Sequence, residues 1–267
     1  MAYLKAMLTA ALIASTAHVH ADSRAEVSYS GLRYTLIDLD VNDGITPNMH
    51  VHLAPNSGRL SLSTESENEG SNSYRAVGET TEPLAGALST PIAHASGSIT
   101  GRESAWTESF VGTVAIMGDR STDRDELADL FASSTLVYLD LSPKTEVVFS
   151  FDARLALETN DLVGENVQAN FWASLIFFPP EEGAIYAEDS LSGSLGAGGR
   201  QQTSLIRDEV LTVSFVNNRT VSVGGRFFYN ASMSALNLSA VPEPDTYGMM
   251  LAGLGVVGLV NRRRKAA

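Results

Sequence analysis

The run Asp38-Leu39-Asp40-Val41-Asn42-Asp43-Gly44 places carboxylate and amide oxygens at alternate positions, which is how a calcium loop begins. An EF-hand needs glycine at its sixth position and a bidentate glutamate at its twelfth. Here those positions hold Asp43 and Met49, so an EF-hand is not expected. Two readings stay open. Asp38, Asp40, Asn42 and Asp43 form a simple surface calcium site, the one cofactor the chain suggests, or their side chains accept from backbone N–H groups where a strand turns. His50 and His52 lie two apart, on one face of a strand, and with His94 offer a zinc set. Exposed strand histidines are the plainer explanation.

Other chemistry is bounded by what the chain lacks. Cysteine is absent, which excludes thiolate zinc sites and thiol nucleophiles. No Gly-x-Ser-x-Gly elbow occurs, so a serine hydrolase of that kind has no nucleophile. Gly196-Ala197-Gly198-Gly199 has no Lys-Ser/Thr after it and is no phosphate cradle. Asp and Glu number 31, so a glycosidase pair is not excluded by counting, but no pair is marked by its context. Trp106 and Trp172 are candidate sugar platforms, although each reads as a strand residue beside Phe110 or Phe171 and packs in a core on that reading.

These residues need elements to hold them, and period-2 patterns dominate. Residues 26–39 alternate well enough for a long opening strand, closed by the turn Asn42-Asp43-Gly44. Residues 49–53, 134–141, 146–157 and 166–178 read as further strands, with a tight turn at Ser142-Pro143-Lys144-Thr145. Residues 203–216 and 220–238, joined by Asn217-Asn218-Arg219, read as a long hairpin. Residues 121–132 have a capping start and apolar Leu127, Leu130 and Phe131, which predicts one short helix. Stretches 65–72 and 193–199 read as loops. The expectation is an all-β ectodomain, an antiparallel sandwich or jelly roll, over residues 22–241.

Both ends have a different character. Residues 1–5 carry one positive charge, 6–17 are apolar, and Val19-His20-Ala21 offers small residues at the positions a signal peptidase reads. Cleavage is expected after Ala21. At the other end, Tyr247–Val260 is uncharged and is followed by Arg262, Arg263, Arg264 and Lys265. A helix of that length spans roughly 21 Å, short against a bilayer core of about 30 Å. The basic stop snorkels towards headgroups and holds the tail end in the cytoplasm, with the large domain outside. The chain carries −13 overall, and residues 22–241 are more acidic still, because five of the cations fall outside them. Such a surface repels nucleic acid.

Val241-Pro242-Glu243-Pro244, then Thr246-Tyr247, the apolar run and Arg262-Arg263-Arg264-Lys265 resemble the PEP-CTERM sorting signal of Gram-negative bacteria. Asp245 stands where that pattern more often has serine. The resemblance implies recognition and cleavage near Pro242, Glu243 and Pro244 by exosortase, an integral-membrane protease, and an association with exopolysaccharide. It implies a membrane-held intermediate and release to the surface or matrix. Tyr34–Pro47 is similar to the opening strand and turn of a group of such proteins from β-proteobacteria. Two functions remain: a structural, adhesive or weakly carbohydrate-binding matrix protein without catalysis, or a hydrolase of the same matrix.

Overall fold

The computed structural model describes residues 23–54, 57–66, 70–77, 82–102, 106–117, 126–159, 165–196 and 203–237. The expected signal peptide and the C-terminal apolar segment lie outside these. Among the described residues the chain is all-β, and every pairing is antiparallel. One sheet has six strands in the order β13 (Ser204–Asn217), β10 (Thr145–Thr159), β1 (Ser23–Asp38), β7 (Ser109–Ile116), β6 (Ala93–Thr100) and β5 (Leu84–Ser89). The other runs β12 (Ile185–Gly196), β11 (Glu165–Phe177), β14 (Val223–Asn237), β8 (Glu126–Ser133), β3 (Arg59–Ser66) and β4 (Gly70–Val77). It is extended by β9 (Val137–Leu141) on β14 and β2 (Met49–Leu53) on β9. Because β8 and β9 share one edge of β14, this sheet turns a corner at Ser134, whose N–H donates to the Tyr229 carbonyl.

The two sheets enclose one core, and aromatic rings meet in it. Tyr29 lies 4.1 Å from Tyr229, Phe149 4.9 Å from Phe227 and Phe177 3.9 Å from Phe215, each pair taking one ring from either sheet. Such pairs add about 0.5–1.5 kcal/mol beyond their buried area. The flanks are closed by side chains. On one, Asp189 of β12 accepts from the Thr212 N–H of β13 at 2.7 Å, and Arg207 of β13 donates to the Ser192 carbonyl at 3.2 Å. On the other, the Tyr74 hydroxyl of β4 donates to the Ala85 carbonyl of β5 at 3.0 Å. Edge backbone that would otherwise recruit another strand is thereby occupied.

Alternation dictates most of these strands, with one interruption. In β1 the buried residues are Ser23, Ala25, Val27 and Tyr29, then Leu32. The change of parity is a bulge between Ser30 and Arg33, where Gly31 takes φ +70°. Glycine adopts that conformation without penalty.

Four sequence expectations are corrected. Residues 126–132, expected in a helix, lie in β8: Glu126, Ala128, Leu130 and Ala132 point inward, and Leu127, Asp129 and Phe131 outward. The Leu, Ala and Glu content favours helix, but both edges of the segment pair, with β14 and β3, and tertiary pairing prevails. The loop expected over 65–72 is mostly a hairpin, since β3 runs to Ser66 and β4 starts at Gly70. The loop expected over 193–199 is strand through Gly196, because Gly193 admits Leu205 and Leu155 where a Cβ would meet them at 2.7 and 3.1 Å. Finally, β13 and β14 are no hairpin. They belong to different sheets, as do β9 and β10, so both turns carry the chain across the core. Asn217 locks these two crossings together, its amide donating to the carbonyls of Leu141, Ser142 and Val221.

Candidate functional site

Asp38 ends β1, and Asp40, Asn42 and Asp43 follow it on an exposed turn. Asp38 accepts from the Asp40 N–H at 2.9 Å, Asp40 from Asn42 at 3.2 Å and Asp43 from Ile45 at 2.7 Å. One oxygen of each aspartate thus holds the turn itself. His50 and His52 share the outer face of β2, where His52 stacks on Tyr138 at 5.2 Å. His94 lies on β6, in the other sheet, so the three are not brought together. Among the described residues no group of three or more histidine or acidic side chains is placed to hold a metal.

Trp106 is not in a strand. It sits in the turn before β7, where its ring lies 4.7 Å from Tyr34 and 6.2 Å from Phe149, as a core residue would. Trp172 is in β11, but faces outward while Phe171 beside it is buried. It is therefore part of a surface.

That surface is the outer face of the eight-stranded sheet, and its register is regular. Ser190, Trp172, Asn230, Ser133 and Arg59 form one row across β12, β11, β14, β8 and β3. The next row is Ser192, Asn170, Ser232, Phe131 and Ser61, and the next Ser194, Gln168, Ser234, Asp129 and Ser63. Short hydroxyl and amide side chains flanking Phe131 leave a shallow groove of about 310 Å³. Gln168 donates to Ser234 at 3.0 Å, and Arg59 lies over the Phe131 ring at 5.6 Å. Burial first, and then Glu65 nearby, push the Asp129 carboxyl above its usual range. Neutral hydroxyl and amide donors and acceptors thus make up most of this lattice, with an indole in the neighbouring row.

Farther along the same face lies a row the sequence reading missed. Tyr186, Ile176, Arg226, Tyr138 and His52 are in register across β12, β11, β14, β9 and β2. The Phe178 ring joins it, 5.5 Å from the Arg226 guanidinium. Tyr138 does carry a signal, since it shares its strand phase with the exposed Asp140. The alignment itself depends on pairing between distant segments.

A separate polar cluster is buried. Arg102 and Glu108 are 1% and 3% exposed. Arg102 donates to Thr135 Oγ1 at 3.3 Å and to the Glu82 carbonyl at 2.8 Å, while the Thr135 N–H is shared by both Glu108 oxygens at 3.3 Å. Burial holds the Arg102 pKa down and pushes the Glu108 carboxyl up. With each charge engaged inside the fold, the cluster is architectural.

The first and last strands of the described residues meet at one end. Ser23 opens β1 and Asn237 closes β14; Glu165, the register partner of Asn237, accepts a hydrogen bond from Ser23 at 2.7 Å. Ala21, Pro242, Glu243, Pro244 and Arg262, Arg263, Arg264, Lys265 lie outside the described residues. Residues 240–265 match the PEP-CTERM protein-sorting motif. Comparison with curated proteins and with solved structures gave no match. The motif marks an exported protein directed to exosortase, held in the membrane in transit and cleaved on its way to the cell surface.

Proposed function

We propose that the released domain is a non-catalytic component of the cell surface or exopolysaccharide matrix, touching glycan through the outer face of its eight-stranded sheet. The observation that carries this reading is the groove between the serine and amide rows, with Trp172 in the row next to them. Its donors and acceptors are uncharged but for Asp129, and they stand on a rigid sheet, so little ordering entropy opposes binding. The acidic, cysteine-free composition suits a hydrated matrix. Signal peptidase and exosortase are its partners during export, and no nucleic-acid role is proposed.

One observation favours the second reading, a matrix hydrolase. Asp129 has a raised carboxyl pKa and Glu65 stands on the same face, a diagonal neighbour across β8 and β3. A raised acid beside a second carboxylate is the arrangement glycosidases use.

Glycan arrays and a reducing-sugar assay on the mature protein separate the two. The matrix reading expects retention of glycans that falls severalfold in Trp172→Ala, with no release of reducing ends. Release that disappears in Asp129→Asn establishes the hydrolase instead. A protein that retains no glycan and releases none removes both.

A further inference from the structure

Three of the four exposed aromatic side chains in the described residues stand on one stretch of this face: Tyr186 at 61%, Phe178 at 48% and Tyr138 at 40%. Tyr186, Arg226, Tyr138 and His52 are held in line by sheet register. Strands lie about 4.8 Å apart, so four steps from β12 to β2 make a strip roughly 19 Å long. Ile176, which stands in the same row between Tyr186 and Arg226, is 3% exposed.

Arg226 sets the chemistry. Its guanidinium lies over Phe178, its Nε is buried without a hydrogen-bond partner, and it is in none of the ion pairs found among the described residues. Its charge is therefore not neutralised by a paired carboxylate among the described residues. The planar guanidinium fork pairs with carboxylates in two parallel hydrogen bonds. The neighbouring outward rows, Glu188, Ser174 and Phe228 on one side and Gly224, Asp140 and His50 on the other, are largely polar, so the apolar faces form a narrow strip. That profile fits a linear chain of sugar rings better than the broad apolar patch of a protein partner.

We infer that this strip is a subsite for a carboxylate-bearing polysaccharide: Arg226 grips a uronate carboxylate while Tyr138, Phe178 and Tyr186 pack against sugar faces. The inference rests on the glycan reading above and names the ligand class for a second part of the same face.

The test uses oligogalacturonate and its methyl ester, which differ in charge but not in ring, titrated into the mature protein in the presence of a chelator. Wild type binds the acid form at least tenfold more tightly than the ester. Arg226→Gln abolishes that preference, Arg226→Lys keeps part of it, and Tyr138→Ala weakens both ligands together, with thermal melts confirming that each variant is folded. Equal affinity for acid and ester, or an Arg226→Gln protein that still prefers the acid, overturns the inference. So does failure of both probes to bind. The broader glycan reading falls only when neutral glycans also fail to bind and Trp172→Ala changes nothing.

Discussion

Ser23 Oγ donates a hydrogen bond of 2.7 Å to Oε2 of Glu165, fastening the first residue of β1 to the first residue of β11 across the two sheets. Thr159, which ends β10, donates to the same oxygen. Ser23 and Thr159 are 0% and 2% exposed, so water does not replace the acceptor when it is removed. Glu165→Ala is expected to cost about 1–3 kcal/mol, the usual penalty for stranding buried donors. Glu165→Gln keeps a carbonyl acceptor and recovers part of it. Urea unfolding measures both, and an alanine variant with an unchanged midpoint refutes the role.

Asn217 is the second point of high stability. Its buried amide serves three carbonyls at the two turns that cross between the sheets. Asn217→Ala leaves those acceptors without their shared donor, and a loss of roughly 2–4 kcal/mol is expected, two or three hydrogen bonds at ordinary net worth. Asn217→Asp, which presents oxygens to the same carbonyls, is expected to fare no better. Thermal unfolding of the two variants against wild type checks this.

Glu108 gives a pH dependence. Burial raises its folded pKa above the unfolded value, so the folded state holds its proton more firmly than the unfolded chain does. The stabilisation is complete below the unfolded glutamate pKa of about 4.3 and is lost as pH rises through the higher folded value. The stability difference between wild type and Glu108→Gln should therefore shift against wild type as pH climbs through that window. A difference that stays flat across denaturant titrations from acid to neutral pH contradicts this.

The sorting motif is tested in the cell. Replacing Pro242, Glu243 and Pro244 with alanine should leave a full-length, membrane-bound chain that immunoblots resolve from the trimmed form. Removing residues 242–267 should abolish the membrane-bound form. If both proteins reach the medium in the same form and amount as wild type, exosortase processing of this chain is refuted.

The parts of the molecule that were legible in the sequence are those encoded locally. Alternation along 26–39, 146–157, 166–178 and 203–216 is visible within one window, and these segments are strands. The tail was readable for the same reason, since a sorting signal is a linear order of residues. Partners were hidden. Ser142–Thr145 and Asn217–Arg219 look like hairpin turns, yet each joins strands of different sheets, because what captures each strand is a distant segment. The helix-like composition of 126–132 yields to pairing on both edges of β8. At the site, Trp172 was noticed but taken for core: Phe171 and Trp172 are adjacent apolar residues, and only the register shows which one faces out. The Tyr186–His52 row draws on five strands and has no local signature.

The short distance in sequence between the end of β14 and the sorting motif bears on how the protein is handled in transit. Asn237 is locked between Glu165 and Glu126, and four residues separate it from Pro242. At no more than about 3.6 Å per residue, that leash measures roughly 18 Å at full stretch, less than the diameter of a 100-residue globule with a radius of gyration of about 13 Å. A bulky protease domain therefore has no room between the folded cargo and its tether. A protease that cuts near Pro242 is expected to work close to the membrane, and a spacer inserted after Asn237 is expected to speed the cut.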